Sequence, residues 1–202
     1  MNYIELNNQV IIRDENGKYQ LDKDKEALKS YLEDYIEPKM KKFDNLNDRL
    51  NYLVENDYYS KEILDLYDQY VIDVIYDFIR AKNFKFQSYM SASKFYQNYA
   101  LKSNDGEEIL ENYEDKVLIV ALTLGNGEPK LAKDIAEKLI NQEFQPATPT
   151  FLNAGRARGG KMVSCFLVNV EDSCEGISYA VSSANHLSKI GGGVALNLTR
   201  LR

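Results

Sequence analysis

Residues 162–198 read MVSCFLVNVEDSCEGISYAVSSANHLSKIGGGVALNL. Met162 to Val170 is a nearly continuous apolar run with β-branched residues, the pattern of a strand buried on both faces. Ser173 then suits a helix N-cap, and the spacing predicts a helix through Lys189, with Ile177, Ala180, Val181, Ala184 and Leu187 facing inward. Gly191-Gly192-Gly193 ends it, the first glycine supplying the left-handed residue after the helix. Val194 to Leu198 reads as a second strand. Strand, helix, strand is a βαβ unit, which predicts a parallel pair.

Upstream the composition changes near residue 145. Before it the chain is rich in Tyr, Lys, Asp, Glu and Asn; after it, in Gly, Ser, Ala, Val and Thr. The first region reads as helical. Asp22 is placed as the cap of a helix to Ile36, stopped by Pro38. Leu46, Leu50, Leu53 and Val54 form the next stripe, and Ser60 opens a segment with Ile63, Leu64 and Tyr67. From Tyr70 to Ile79 the inward set is read as Val71, Val74, Ile75 and Phe78. Ser91 is read as the cap of a helix carrying Phe95, Tyr96 and Tyr99, and Asn104-Asp105-Gly106 as a turn. Glu114 to Leu124 is helical and closes at Gly125-Asn126-Gly127. Leu131, Ile135, Leu139 and Ile140 mark one more helix. No motif with evident chemistry stands in this region. The 15 tyrosines could suggest a radical relay or base stacking, but at helical spacing beside Leu and Ile they read as packing residues.

Composition narrows the function. There are 25 basic and 31 acidic residues, a net charge of -6, so a broad nucleic-acid-backbone binder is not expected. No apolar run is long enough to cross a bilayer, and MNYIELNNQV lacks the basic and apolar blocks of a secretory signal. A cytoplasmic protein is the expectation. Two cysteines and one histidine argue against a disulfide scaffold and a histidine-based metal site. Pairing Cys165 with Cys174 needs Cα atoms within about 7 Å, hence a tight reversal at Asp172, and is not expected.

Three features can carry chemistry. Cys165 lies in the predicted strand, where a cysteine alone is ordinarily an inert core residue. The glycine triplet is a helix terminus or a place where bare backbone meets a ligand. In residues 145–155, QPATPTFLNAG, threonine hydroxyls in a proline-fixed loop could hold phosphate oxygens or simply cap a helix.

Taken in order, QPATPTFLNAGR, VSCFL, the acidic pair Glu171-Asp172, LSKIGGGVA and a strand ending in Leu201-Arg202 closely resemble the start of the catalytic barrel in ribonucleotide reductase large subunits. FKFQSYMSASKFYQNYALK (residues 84–102) and EDKVLIVALTL (residues 114–124) extend the resemblance upstream, toward the class Ib form. The resemblance implies a mainly α N-terminal domain followed by the first βαβ elements of a ten-stranded α/β barrel, truncated here. It divides the chain into a class Ib-type helical region (1–82), a helical large-subunit domain (83–145) and the barrel start (146–202). The stretch before the threonine loop is too short for a complete ATP-cone plus the helical domain, which implies no activity-site regulation.

The resemblance further implies reduction of ribonucleoside diphosphates to 2′-deoxyribonucleoside diphosphates for DNA synthesis. A thiyl radical on a finger-loop cysteine takes the 3′-hydrogen, and two other cysteines become a disulfide. By position, Cys165 matches one of that redox pair. Thr148, Ser164 and Gly193 match substrate contacts. Asp172 and Arg202 match contacts to an allosteric effector, a deoxynucleotide or ATP. No metal is implied in this chain; a dimetal-tyrosyl radical centre is implied in a partner small (beta) subunit. A second copy of the large subunit and a thioredoxin- or glutaredoxin-like reductant are further implied partners, with no nucleic acid or membrane. The finger-loop cysteine and the second redox cysteine are not among these 202 residues, so the expectation is a chain inactive alone, completed by a C-terminal fragment if the gene is split. The competing expectations are a non-catalytic remnant, or a nucleotide- or partner-binding helical module.

Overall fold

The computed structural model describes residues 2–202. It forms two compact units. One runs up to Pro146 and includes Ala154–Arg158; the other comprises Ala147–Asn153 and Gly159–Arg202.

The first unit is helical: α1 (Tyr3–Gln9), α2 (Asp22–Ser30), α3 (Leu46–Glu55), α4 (Lys61–Leu64), α5 (Gln69–Ala81), α6 (Tyr89–Asn98), α7 (Tyr113–Gly125) and α8 (Pro129–Ile140). Its centre is α7. Val117 to Leu122 are all buried, because that helix is apolar around its whole circumference and must be enclosed. Asn112 caps it, accepting from the Asp115 N–H while Asp115 returns the bond to the Asn112 N–H. Asn126, at φ 44°, ends it. Thus Gly125 stays helical, and asparagine takes the left-handed position that the sequence assigned to the glycine-flanked turn.

Several expectations shift by a residue or a turn. Asp22 is the first helical residue and not the cap; α2 ends at Ser30 and passes into a π-helical turn, Tyr31–Ile36, and a 3-10 turn, Glu37–Lys39. The Glu37 N–H reaches the Leu32 carbonyl, five residues back. Pro38, which has no N–H to offer a preceding carbonyl, follows at once. In α5 the buried residues are Ile72, Ile75 and Ile79, while Val74 is exposed. The segment is apolar on two adjoining faces, and the face carrying Ile72, Ile75 and Ile79 is the one turned inward. In α6 the cap is Ser88, and Ser91 is its reciprocal partner three residues on. In α8, Ala132, Ala136, Leu139 and Ile140 are buried and Leu131 is exposed, because alanines allow close approach between α7 and α8.

The second unit holds α9 (Thr148–Asn153), β1 (Cys165–Asn169), α10 (Cys174–Lys189) and β2 (Gly193–Asn197). The strands pair in parallel, with Cys165 opposite Gly193 and Asn169 opposite Asn197. Ser173 caps α10 by accepting from the Gly176 N–H, and Gly191, at φ 86°, closes it. The βαβ unit therefore forms as its pattern requires. Burial on both faces does not follow. Strand β1 starts at Cys165 and not at Met162. Its residues alternate, with Phe166 and Val168 partly covered and Cys165, Leu167 and Asn169 exposed. Leu167 is 87% exposed. A single crossover helix can cover only one face of a two-stranded sheet. For the same reason Ala180 is buried in α10 while Ile177 and Val181 are exposed.

Candidate functional site

The threonine loop becomes a short helix. Pro149 has the fixed φ that suits a first helical turn, and the Phe151 N–H bonds back to the Ala147 carbonyl. Two side chains of α9 reach the loop that leads into β1. Thr150 Oγ1 donates to the Met162 carbonyl (3.1 Å). Asn153 Nδ2 donates to the Lys161 carbonyl (3.0 Å), and its Oδ1 accepts from the Gly160 N–H (3.2 Å). Between this helix, the loop and the end of α10 lies a hollow of about 270 Å³. Thr148, Pro149, Asn153, Ser164, Lys161 and Gly191 are among the residues that line it.

Of the residues singled out by sequence, Thr148 and Ser164 share this hollow. Gly193 does not line it, but its N–H donates to the Ser164 carbonyl (2.6 Å), so the end of the glycine run sets where Ser164 lies. Cys165 also lies outside the lining. Its Sγ is 4.0 Å from Ser164 Oγ, and the thiol is free and exposed. A sulfur locked within a sheet was expected; the thiol instead stands at the open start of the strand. Asp172 and Arg202 meet each other in an ion pair and line no part of the hollow. Cys174 is the first residue of α10, free and exposed, and no disulfide forms with Cys165.

The three glycines divide their work. Gly191 supplies a positive φ, and at Gly192 an added Cβ would fall 2.4 Å from the Phe166 ring. The middle glycine is thus required by packing within the unit. Gly193 has only the Ser164 carbonyl, at 3.5 Å, near its missing Cβ.

Sequence reasoning missed Thr150, Asn153 and Lys161 at the hollow, because their roles depend on the chain folding back over ten residues. It also missed a charge cluster inside the helical unit. Glu111 is fully buried and accepts from Tyr59 Oη (2.6 Å), the Leu101 N–H (2.8 Å) and Arg156 Nη2 (3.0 Å). Lys116 Nζ, also fully buried, lies 3.9 Å from the same carboxylate. Burial raises the Glu111 carboxyl, but Lys116, Arg156 and the hydrogen bonds outweigh it and hold it below its ordinary value. Burial pushes the Lys116 amine down to about 8. Tyr59 is driven well above its usual value by burial and by the Glu111 charge. A lysine set among the apolar residues of α7 was the one visible hint. Among the described residues no group of His, Cys, Asp and Glu could hold a metal ion, and no helix is long and apolar enough to cross a membrane.

Three family models match the chain in succession. Residues 3–84 match the ribonucleotide reductase N-terminal family, residues 85–159 the all-alpha domain and residues 163–202 the barrel domain. The chain belongs to the ribonucleotide reductase large-subunit family, and its short parallel pair lies where the barrel domain begins. It is similar to proteins named as the alpha subunit of ribonucleoside-diphosphate reductase. The one from Bacillus subtilis is 53% identical over 99% of this chain, and the one from Mycoplasma genitalium 42% over 99%. A counterpart from Bacillus phage SPbeta is 52% identical over the whole chain. The chain spans 28%, 27% and 18% of those relatives' lengths.

Proposed function

We propose that this chain is part of a class Ib ribonucleoside-diphosphate reductase alpha subunit, and that the hollow beside Cys165 receives the ribonucleoside diphosphate. The observation that carries the reading is the convergence of Thr148 and Ser164 on one hollow, with the Cys165 thiol 4.0 Å from the Ser164 hydroxyl. Two hydroxyl donors suit phosphate and ribose oxygens. In the overall conversion the 2′-hydroxyl leaves as water, a C–H bond replaces it, and two thiols give up two electrons and two protons to become a disulfide. Cys165 supplies one of those thiols. Its exposure at the strand start leaves the sulfur accessible for that exchange.

Asp172 and Arg202 contribute to an effector site for a nucleoside triphosphate, separate from the hollow; that the two side chains meet in an ion pair supports reading them together. The small subunit, with its dimetal-tyrosyl radical, a second large subunit and a thiol reductant are the partners this reading requires, and the cytoplasm its setting.

Titration calorimetry of the chain with cytidine diphosphate tests the reading. Saturable binding is expected, weakened in Thr148→Val, which removes a hydroxyl at nearly constant volume. The absence of any saturable binding by the unaltered chain would overturn the assignment of the hollow.

A further inference from the structure

Two of the stretches of chain that wall the hollow, beside the end of α10, have no ladder hydrogen bonds to each other. One wall is α9, which carries Thr148. The other is the loop Gly160–Val163, which delivers Ser164 and Cys165 to the start of β1. Side chains of α9 tie the two together through three hydrogen bonds: Thr150 to the Met162 carbonyl, and Asn153 to both the Lys161 carbonyl and the Gly160 N–H. Asn153 is therefore used at both ends of its amide, as donor and as acceptor, against a two-residue stretch of backbone. The fit is close. A Cβ added at Gly160 would stand 3.2 Å from Asn153 Nδ2, so the absence of a side chain there lets the amide approach. Thr150 holds the loop at Met162, one residue nearer the thiol than Lys161. From Met162 only Val163 intervenes before Ser164.

We propose that Thr150 and Asn153 are positioning residues, which fix the Ser164–Cys165 pair against the Thr148 wall without the Thr150 hydroxyl touching substrate. The inference rests on reading the hollow as the nucleoside diphosphate site. It assigns a role to the second threonine of the PATPTFLNAG stretch, which lies outside the hollow's lining, and a second role to the asparagine. Asn153 also lines the hollow, so Thr150 is the cleaner probe of positioning. Its bond to the Met162 carbonyl is lost in valine and kept in serine.

The two free, exposed cysteines provide the assay. Cys165 adjoins the hollow; Cys174, at the start of α10, is an internal reference. The unaltered chain is treated with iodoacetamide across a range of cytidine diphosphate concentrations, and alkylation at each cysteine is quantified by peptide mass spectrometry. The nucleotide is expected to slow modification of Cys165 and leave Cys174 unchanged. In Thr150→Val, half-protection of Cys165 is expected to need roughly tenfold more nucleotide, the upper end of what one hydrogen bond contributes. Asn153→Ala is expected to move in the same direction. Thr150→Ser is expected to stay within about twofold of the unaltered chain, since the bond to the carbonyl survives. If the unaltered chain shows no protection, the site reading fails and this inference with it. If it is protected and Thr150→Val is protected equally, the positioning role alone is overturned. Thr150→Ser behaving like Thr150→Val also overturns it, because loss of the methyl and not of the hydrogen bond would then be responsible.

Discussion

Lys116→Met is expected to make the helical unit more stable at neutral pH and to abolish a rise in stability on the alkaline side. The buried cluster contains one anion, Glu111, and two cations, Arg156 and Lys116. Arg156 already makes the closer ion pair with the carboxylate, 3.0 Å against 3.9 Å for Lys116. The second cation therefore leaves the cluster with an excess positive charge in a fully enclosed place. Burial is the main reason the amine falls from 10.5 to about 8; it outweighs the pull of Glu111, and the Arg156 charge adds to it. A depression of that size corresponds to about 3 kcal/mol of penalty on the charged form. Methionine removes the charge and keeps the unbranched length, so a gain of about 1–3 kcal/mol is expected, the lower figure if the thioether packs imperfectly. Between pH 8 and the lysine's unfolded value, the unfolded chain binds a proton that the folded chain has released. Stability must then rise with pH, by about 2 kcal/mol from pH 8 to 9.5. The buried tyrosines act in the opposite sense, but only nearer and above pH 10, because their folded values are raised. Urea unfolding followed by far-ultraviolet circular dichroism at pH 7, 8 and 9.5 measures both effects. A Lys116→Met variant clearly less stable than the parent at pH 7, or a parent whose stability falls between pH 8 and 9.5, would refute the account of a lysine whose charged form burial disfavours.

Three other outcomes follow from the same geometry. Glu111→Gln leaves two buried cations without their anion and should cost about 3–5 kcal/mol in the same unfolding measurement; a loss under 1 kcal/mol would show that the cluster admits water. Gly155→Ala should destabilise the chain by several kcal/mol, since Gly155 sits at φ 72° and the new Cβ would fall 2.1 Å from Ile119 Cγ1; thermal melting within a degree of the parent would contradict it. In a reductase holoenzyme whose large subunit carries this sequence, Cys165→Ser should abolish multiple turnover of cytidine diphosphate. Full dithiothreitol-supported turnover in that variant would remove Cys165 from the redox pair.

The elements that local pattern specifies were legible, and those that depend on what packs against them were not. The βαβ unit could be read from an apolar run, a serine cap and a glycine terminus, because each acts within a few residues of itself. Likewise α3 shows its Leu50 and Leu53 face directly. Helix α5 was misread by one position because its apolar residues cover two adjoining faces, and only the neighbouring α7 and α8 decide which is buried. Burial of β1 was overread for a related reason. An apolar strand has the composition of one covered twice, but coverage belongs to the layers around it, and here Leu167 lies bare.

The candidate site divides along the same line. Thr148, Ser164 and Cys165 could be singled out because a motif carries them in order. Their support could not, since Thr150 and Asn153 act on a loop 7 to 12 residues away, through backbone groups that no side-chain pattern reports. The Glu111 cluster is further still from view: its bond to Arg156 spans 45 residues and its bond to Tyr59 spans 52. In each case the candidate residue is marked in the sequence by its type, while the residue that holds it in place is marked only by a distance. Thr150 stands two residues on from Thr148 and so on the far side of the short helix α9, where its hydroxyl reaches the Met162 carbonyl while Thr148 lines the hollow.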